Sequence, residues 1–144
     1  MLKSLLISIV ICSVGITATA QVSMWPILSL VKYKKIQDEA LGFEVDFPIF
    51  DPELKSYDGK EITINGYIIP TDGYKSQKEF VFSAYPYKNC FFCGGAGPET
   101  VMEVISPNGI NFTSERITLR GKLKLNAQDL NRLMFLLTNA EQVK

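Results

Sequence analysis

The chain has 144 residues, enough for one domain with a modest core, and its 15 basic and 15 acidic residues balance to a formal net charge of zero. The basic residues are scattered along the sequence, so no electrostatic footprint for nucleic acid is present and we expect no DNA or RNA partner. The chain contains no histidine, which excludes imidazole as a base, a metal ligand or a pH switch.

Residues 1–20 are predicted to be a secretory signal peptide. Lys3 supplies a positive charge, Leu5 to Gly15 form an apolar stretch too short to span a bilayer, and Ala18-Thr19-Ala20 is a small-x-small cleavage site. We expect cleavage after Ala20 and export to the periplasm or cell envelope. An uncleaved, membrane-associated anchor stays open as an alternative, because residues 22–31 add a second apolar run.

Residues 21–58 are predicted to be an irregular, extended lead-in that packs against the domain. The stretch from Val31 to Asp38 has no sustained hydrophobic period, and Pro48 and Pro52 interrupt ladder pairing. Asp51-Pro52 predicts a turn or short helix that runs through Tyr57. Asp58-Gly59 then predicts a tight turn, after which the domain proper is expected to occupy residues 59–144.

The first predicted strand of that domain runs from Glu61 to Pro70, where polar and apolar residues alternate. The alternation places Ile62 and Ile64 on one face, with Tyr67 as a further candidate for the same face. Gly66 interrupts the strand near its middle, which predicts a bulge or sharp coiling there.

Four further strands are predicted by alternation, β-branched and aromatic residues and flanking turns, at residues 80–85, 100–105, 117–125 and 133–137. Turn residues at 71–76 join the first two strands as a hairpin. The last segment also fits a helix, because its leucines recur at helical spacing. Five short strands, two of them with an internal glycine, predict an all-β chain with minor helix, folded as a small five-stranded barrel of the OB type.

Two cysteines three residues apart, Cys90 and Cys93, lie between the second and third predicted strands. Cys12 belongs to the signal peptide, so these two are the only thiols expected in the mature protein. The loop after them is shaped by Gly94, Gly95, Gly97 and Pro98. A thioredoxin-like fold is rejected, because these glycines disfavour a helix directly after Cys93 and no βαβ crossover is visible.

Four segments carry a resemblance to known sequences: Gly59–Thr71, Phe80–Tyr87, Cys90–Glu99 and Gly121–Asn126. Over residues 55–140 the chain resembles a family of small exported bacterial proteins of unknown function, and it is more distantly similar to the uncharacterised DUF3299 proteins. Those proteins typically show a histidine and a proline run after the cysteine, where this chain has Phe91-Phe92-Cys93 and glycines, so no role of that histidine is carried over. The resemblance implies a fold and export and assigns no activity.

Metal binding is the first hypothesis for the cysteine pair. Cys90 and Cys93 are soft thiolate ligands for zinc or copper, with Glu99 or Glu103 as oxygen donors in the case of zinc. A single Cys-x-x-Cys supplies only half of a structural zinc site, so zinc needs carboxylates, water or a homodimer with four cysteines. Cu⁺ is satisfied by the pair alone, and an iron–sulfur cluster shared by two subunits is a further form of the same idea.

Two other hypotheses stay open at the sequence level. The pair could act as a redox-active dithiol in a thiol-disulfide oxidoreductase or electron carrier, although no general acid or base is evident nearby. Alternatively, Cys90 and Cys93 form a structural disulfide, as an oxidising compartment favours, in a binding module that contacts its partner through this loop and the barrel mouth. The sequence therefore favours a binding or metal-handling module, with a protein or a metal ion of the cell envelope as partner, over an enzyme.

Overall fold

The computed structural model of the protein describes residues 23–39, 42–70 and 78–144. The predicted signal peptide with Cys12, and the predicted turn at residues 71–76, lie outside the described residues. The helices are α1 (Trp25–Leu28) and α2 (Pro52–Lys55), and the strands are β1 (Lys32–Asp38), β2 (Phe43–Ile49), β3 (Glu61–Ile69), β4 (Glu79–Ser83), β5 (Val101–Ile105), β6 (Ile117–Leu125) and β7 (Phe135–Val143). In the part of the chain that is described, no helix combines the length and the apolar character needed to cross a membrane.

Strands β3 to β7 close a five-stranded barrel in the order β3-β4-β5-β7-β6, with β6 pairing back onto β3. All neighbours are antiparallel except β5 and β7, which run parallel. This is the Greek-key closure of an OB barrel, and the predicted all-β, OB-like fold is confirmed. The last element is a strand rather than a helix, and it continues beyond the predicted segment 133–137 to Val143.

Strand β3 shows how the barrel wall alternates between core and outer face. Ile62, Ile64 and Ile68 are buried, whereas Tyr67 lies on the other face and is only partly buried, so the expectation that Tyr67 shares the face of Ile62 was wrong. The predicted bulge at Gly66 is absent from this strand, because β3 pairs with β6 in one unbroken register from Glu61 to Gly66, which lies opposite Ile117. Gly66 is required there for close approach instead: a Cβ atom would lie 2.3 Å from the carbonyl oxygen of Ser83.

A β-bulge occurs instead between β6 and β7, beside the internal glycine of β6. Arg120 pairs with Glu141 but Lys122 pairs with Thr138, so β7 has one extra residue opposite Gly121. Asn139 within that bulge has a φ of +51°, a left-handed conformation that asparagine tolerates better than most residues. The bulge lets the sheet curve and close around its apolar core. Fully buried side chains in that core include Ile64, Phe82, Met102, Leu119, Leu123, Phe135 and Leu137.

The lead-in differs from the irregular segment predicted from the sequence, because β1 and β2 pair antiparallel over their whole length, from Lys32 opposite Ile49 to Asp38 opposite Phe43. We call this two-stranded element the N-terminal hairpin. Most of its side chains are exposed on both faces, so no alternating pattern marks it in the sequence. Pro48 is compatible with the pairing, since a strand at the edge of a sheet has backbone groups that need no ladder partner.

The lead-in also packs against the barrel, as expected. The Trp25 indole donates a hydrogen bond of 2.7 Å to the Asn65 carbonyl, and its ring stacks on Phe82 with 6.4 Å between centroids. The predicted short helix is α2, where the Asp51 carboxylate accepts a hydrogen bond of 3.0 Å from the amide of Glu53. The predicted tight turn follows at Gly59, which has a φ of +76°.

Candidate functional site

Residues 84–100 connect β4 to β5 and carry both cysteines; we call them the cysteine loop. Its two ends are held together by a hydrogen bond of 3.0 Å from the amide of Ala84 to the carbonyl of Thr100. Between them lie three short 3₁₀ turns, at Tyr87–Asn89, Phe91–Cys93 and Pro98–Thr100. The loop is therefore a series of local turns at the end of the β4–β5 ladder. No α-helix lies between Cys93 and β5.

The backbone of the loop wraps around Cys90. The Cys90 carbonyl accepts hydrogen bonds of 3.1 Å from the amides of both Cys93 and Gly95. Gly94 ends the turn with a φ of +75°, and a Cβ atom on Gly95 would lie 2.7 Å from the carbonyl oxygen of Asn89. Glycine is therefore needed at both positions for the loop to close around the first cysteine.

The two cysteines differ in exposure. Cys90 is fully buried, whereas Cys93 is exposed, and both are free thiols in the structure. Local desolvation raises the pKa of the Cys93 thiol, and the neighbouring Cys90 raises it further through its charge and a hydrogen bond between the two side chains. A hydrogen bond with Tyr87 acts on this pKa in the opposite direction. The turn closed by the Cys93 amide and the Cys90 carbonyl therefore places a buried and an exposed cysteine next to each other.

The glutamates predicted as oxygen donors are engaged elsewhere. The Glu99 carboxylate accepts a hydrogen bond of 3.3 Å from the Tyr33 hydroxyl of the N-terminal hairpin. The Glu103 carboxylate accepts a hydrogen bond of 3.0 Å from the amide of Leu133 and lies 3.6 Å from the Arg132 guanidinium. Within residues 23–39, 42–70 and 78–144, no three cysteine, histidine or acidic side chains converge on a common point. The structure thus brings Cys90 and Cys93 together and leaves Glu99 out of the predicted ligand set.

A cleft of about 430 Å³ lies where the N-terminal hairpin, the cysteine loop and the β6–β7 connection meet; we call it the loop cleft. Phe91 lines it and packs edge-on against Phe92, with 5.3 Å between ring centroids. The remaining lining residues are Tyr33, Asp46 and Pro48 of the hairpin, Pro98 of the cysteine loop, and Asn126, Ala127, Asp129, Leu130, Arg132 and Met134 of the β6–β7 connection. Three stretches far apart in sequence therefore build one concave surface.

Tyr33 is the residue that joins these stretches. Its hydroxyl contacts the Glu99 carboxylate and lies 3.8 Å from the sulfur of Met134. Partial burial, followed by the negative charge and hydrogen bond of Glu99 and by the charge of Asp46, raises the pKa of Tyr33 well above its ordinary value. The hydroxyl therefore stays protonated and able to donate. Sequence reasoning missed Tyr33, because its partners lie 66 and 101 residues away.

Exposed aromatic side chains also lie on and near the cysteine loop: Tyr85, Tyr87, Phe92 and Phe112 are each about half exposed. Tyr87 and Phe112 line a second recess of about 350 Å³, together with Tyr67. A larger recess of about 670 Å³ runs from α2 to the β6–β7 connection and includes no residue of the cysteine loop. The cysteine loop therefore presents apolar surface toward two recesses.

Comparisons with family models, with curated proteins and with solved structures found no match to this chain. The resemblance to the DUF3299 proteins accordingly stays a prediction. The site is defined by its own geometry: two cysteines lie in one turn of a loop that also forms one wall of a cleft.

Proposed function

We propose that this protein is an exported binding module that contacts a protein partner of the cell envelope through the loop cleft. The observation that carries the proposal is the convergence of three separate segments on one cleft of about 430 Å³. OB barrels commonly bind ligands through the loops at one end of the barrel, including the loop between the fourth and fifth strands. In this chain that loop is the β6–β7 connection, which supplies Leu130 and Arg132 to the cleft.

The chemistry of the cleft suits a peptide segment. Tyr33, Phe91 and Leu130 offer apolar and aromatic surface, and Asp129 contributes negative charge. Asp46 also lines the cleft, with its carboxylate 3.8 Å from the Lys35 ammonium. Arg132 also lines the cleft, but its guanidinium is close to the Glu103 carboxylate, which offsets its positive charge. A partner segment with an apolar side chain next to a basic one would complement this surface, whereas the phosphates of a nucleic acid would not.

Export is part of the proposal and is supported by the signal-like sequence of residues 1–20. Intact mass of the protein recovered from the periplasm tests it directly. We expect a mature chain that begins at Gln21. A mass that includes residues 1–20 in the membrane fraction would replace this proposal with the uncleaved anchor.

A thiol-disulfide oxidoreductase is the alternative function, favoured by the two free thiols in one turn. It is less well supported, because the exposed cysteine has a raised pKa and a catalytic cysteine needs a readily formed thiolate. We expect no acceleration of insulin reduction by dithiothreitol above the uncatalysed rate. Acceleration that is lost on Cys93→Ser would establish the oxidoreductase instead.

Site-specific photo-crosslinking in the exporting cell tests the binding module. The photoreactive residue p-benzoylphenylalanine replaces Leu130, which is 54% exposed and lines the cleft. The matched control carries it at Glu53, an exposed position on α2 that lines none of the three recesses. We expect one discrete adduct from position 130 and none from position 53.

A second substitution shows whether such an adduct reports the cleft itself. Phe91→Asp places a charge in the wall of the cleft and should abolish the adduct, whereas Thr113→Asp, outside the cleft, should leave it intact. Equal adducts from positions 130 and 53, or an adduct that survives Phe91→Asp in a folded protein, would refute the loop cleft as the contact surface.

A further inference from the structure

We propose that Cys90 and Cys93 form a two-coordinate site for a soft monovalent metal ion, with Cu⁺ as the biological candidate. The proposal is independent of the loop cleft, since it concerns the sulfur atoms and not the cleft wall. It starts from the turn that links the two cysteines: the Cys93 amide donates a hydrogen bond of 3.1 Å to the Cys90 carbonyl, so the backbone already holds both residues in one tight turn.

The number of donors selects the metal. A structural zinc ion takes four ligands, and a catalytic one takes three from the protein. The described residues offer this pair and no third cysteine, histidine or acidic side chain beside it, and the whole chain lacks histidine. Thiolates favour soft ions, and Cu⁺ is stable with two of them. A single chain therefore matches Cu⁺ far better than zinc.

The unequal exposure of the two cysteines suits an ion that must be passed on. Cys90 is buried and anchors one side of the site, while Cys93 is exposed and open to an incoming ligand. A thiolate of a partner protein can therefore reach the ion from the side of Cys93 and displace the ligands one at a time. Such an arrangement is typical of a carrier rather than of a permanently buried structural metal.

Both cysteines would hold the ion as thiolates. Binding is a proton-for-metal exchange: two S–H bonds break, two Cu–S bonds form, two protons leave to solvent, and no electron is transferred. Because protons compete for the sulfurs, affinity should rise as the pH is raised from 6 to 8.

Anaerobic Cu⁺ titration of the mature full-length chain tests the site. The protein is reduced with a phosphine rather than a thiol, and Cu⁺ is supplied as its bicinchoninate complex, whose absorbance reports the copper withdrawn. We expect one Cu⁺ per chain, and loss of that binding in Cys90→Ser and in Cys93→Ser. Glu99→Gln is the matched control and should retain full binding, because its carboxylate contacts Tyr33 and not the sulfurs.

Cys93→Ser decides the outcome even where Cys90→Ser fails to fold, because Cys93 is exposed; circular dichroism confirms that the variant is folded. Undiminished binding in folded Cys93→Ser overturns the proposal. Failure of the reduced chain to withdraw copper, or a native mass of two chains sharing one zinc ion, overturns it as well.

Discussion

The barrel wall and the cysteine loop are contiguous in the chain, yet they are stabilised in different ways. The wall is a continuous ladder around fully buried side chains such as Phe82, and long-range pairing dominates its contacts. The loop is a series of local turns in which Cys90 is the only fully buried side chain among residues 84–100. Changes in the wall should therefore alter stability, and changes in the loop should alter chemistry.

The largest expected effect compares two phenylalanines, one from each region. Phe82→Ala removes a fully buried ring that stacks on Trp25, and we expect a loss of about 3–5 kcal/mol in the free energy of unfolding. Phe92→Ala removes a ring that is 49% exposed, and we expect a loss within about 0.5 kcal/mol. Denaturant unfolding followed by Trp25 fluorescence measures both. Similar losses for the two variants would break the distinction between wall and loop.

A smaller effect compares two glycines that are needed for different reasons. Gly66→Ala forces a Cβ atom against the Ser83 backbone between β3 and β4, and we expect a loss of about 3 kcal/mol, the upper range for overpacking. Gly94→Ala meets no atom within 4 Å but must hold a φ of +75°, which costs about 1 kcal/mol. In denaturant unfolding, the midpoint should be highest for the wild type, lower for Gly94→Ala and lowest for Gly66→Ala.

These variants should also separate stability from metal binding. Gly94→Ala changes the turn that presents Cys93 and should weaken Cu⁺ binding, whereas Gly66→Ala should leave binding unchanged in the folded fraction. The reverse result, with binding sensitive only to Gly66, would mean that the barrel wall and not the loop positions the sulfurs.

The sequence predicted the barrel well because its strands are buried on one face. Segments such as β3 and β6 alternate between core and solvent, so their period is visible without a structure. The N-terminal hairpin was not predicted, for the opposite reason. Most of its side chains are exposed, so its sequence shows no alternation of polar and apolar residues. Strand β7 was ambiguous because a short apolar run fits a helix as well as a strand.

The candidate site was predictable only in its local part. The spacing of Cys90 and Cys93 is visible in the sequence, and the turn between them brings the two residues together. The partners of Glu99 were not visible, because Tyr33 reaches it from a hairpin that the sequence did not indicate. The loop cleft is likewise a product of tertiary packing between segments that no local pattern connects.

The contact between Tyr33 and Glu99 is the smallest effect we predict, and it links the hairpin to the cysteine loop. The pKa of Tyr33 is raised in the folded protein, so its contribution to stability is complete below the ordinary tyrosine pKa of about 10 and is lost as the pH rises beyond it. Tyr33→Phe should therefore flatten the decline in stability above pH 10. Because the side chain is 39% exposed, solvent screening keeps the difference below about 1 kcal/mol.

A double-mutant cycle isolates this contact from the other groups that titrate in alkali. After burial, the charge and the hydrogen bond of Glu99 contribute most to the raised pKa of Tyr33. In a Glu99→Gln background the charge disappears and the hydrogen bond weakens. Tyr33→Phe should then change the alkaline profile by less than it does in the wild type, because the two residues act through one contact. An equal change in both backgrounds would mean that burial and the charge of Asp46 hold the Tyr33 hydroxyl protonated without Glu99, and that Glu99 does not hold the hairpin against the cysteine loop.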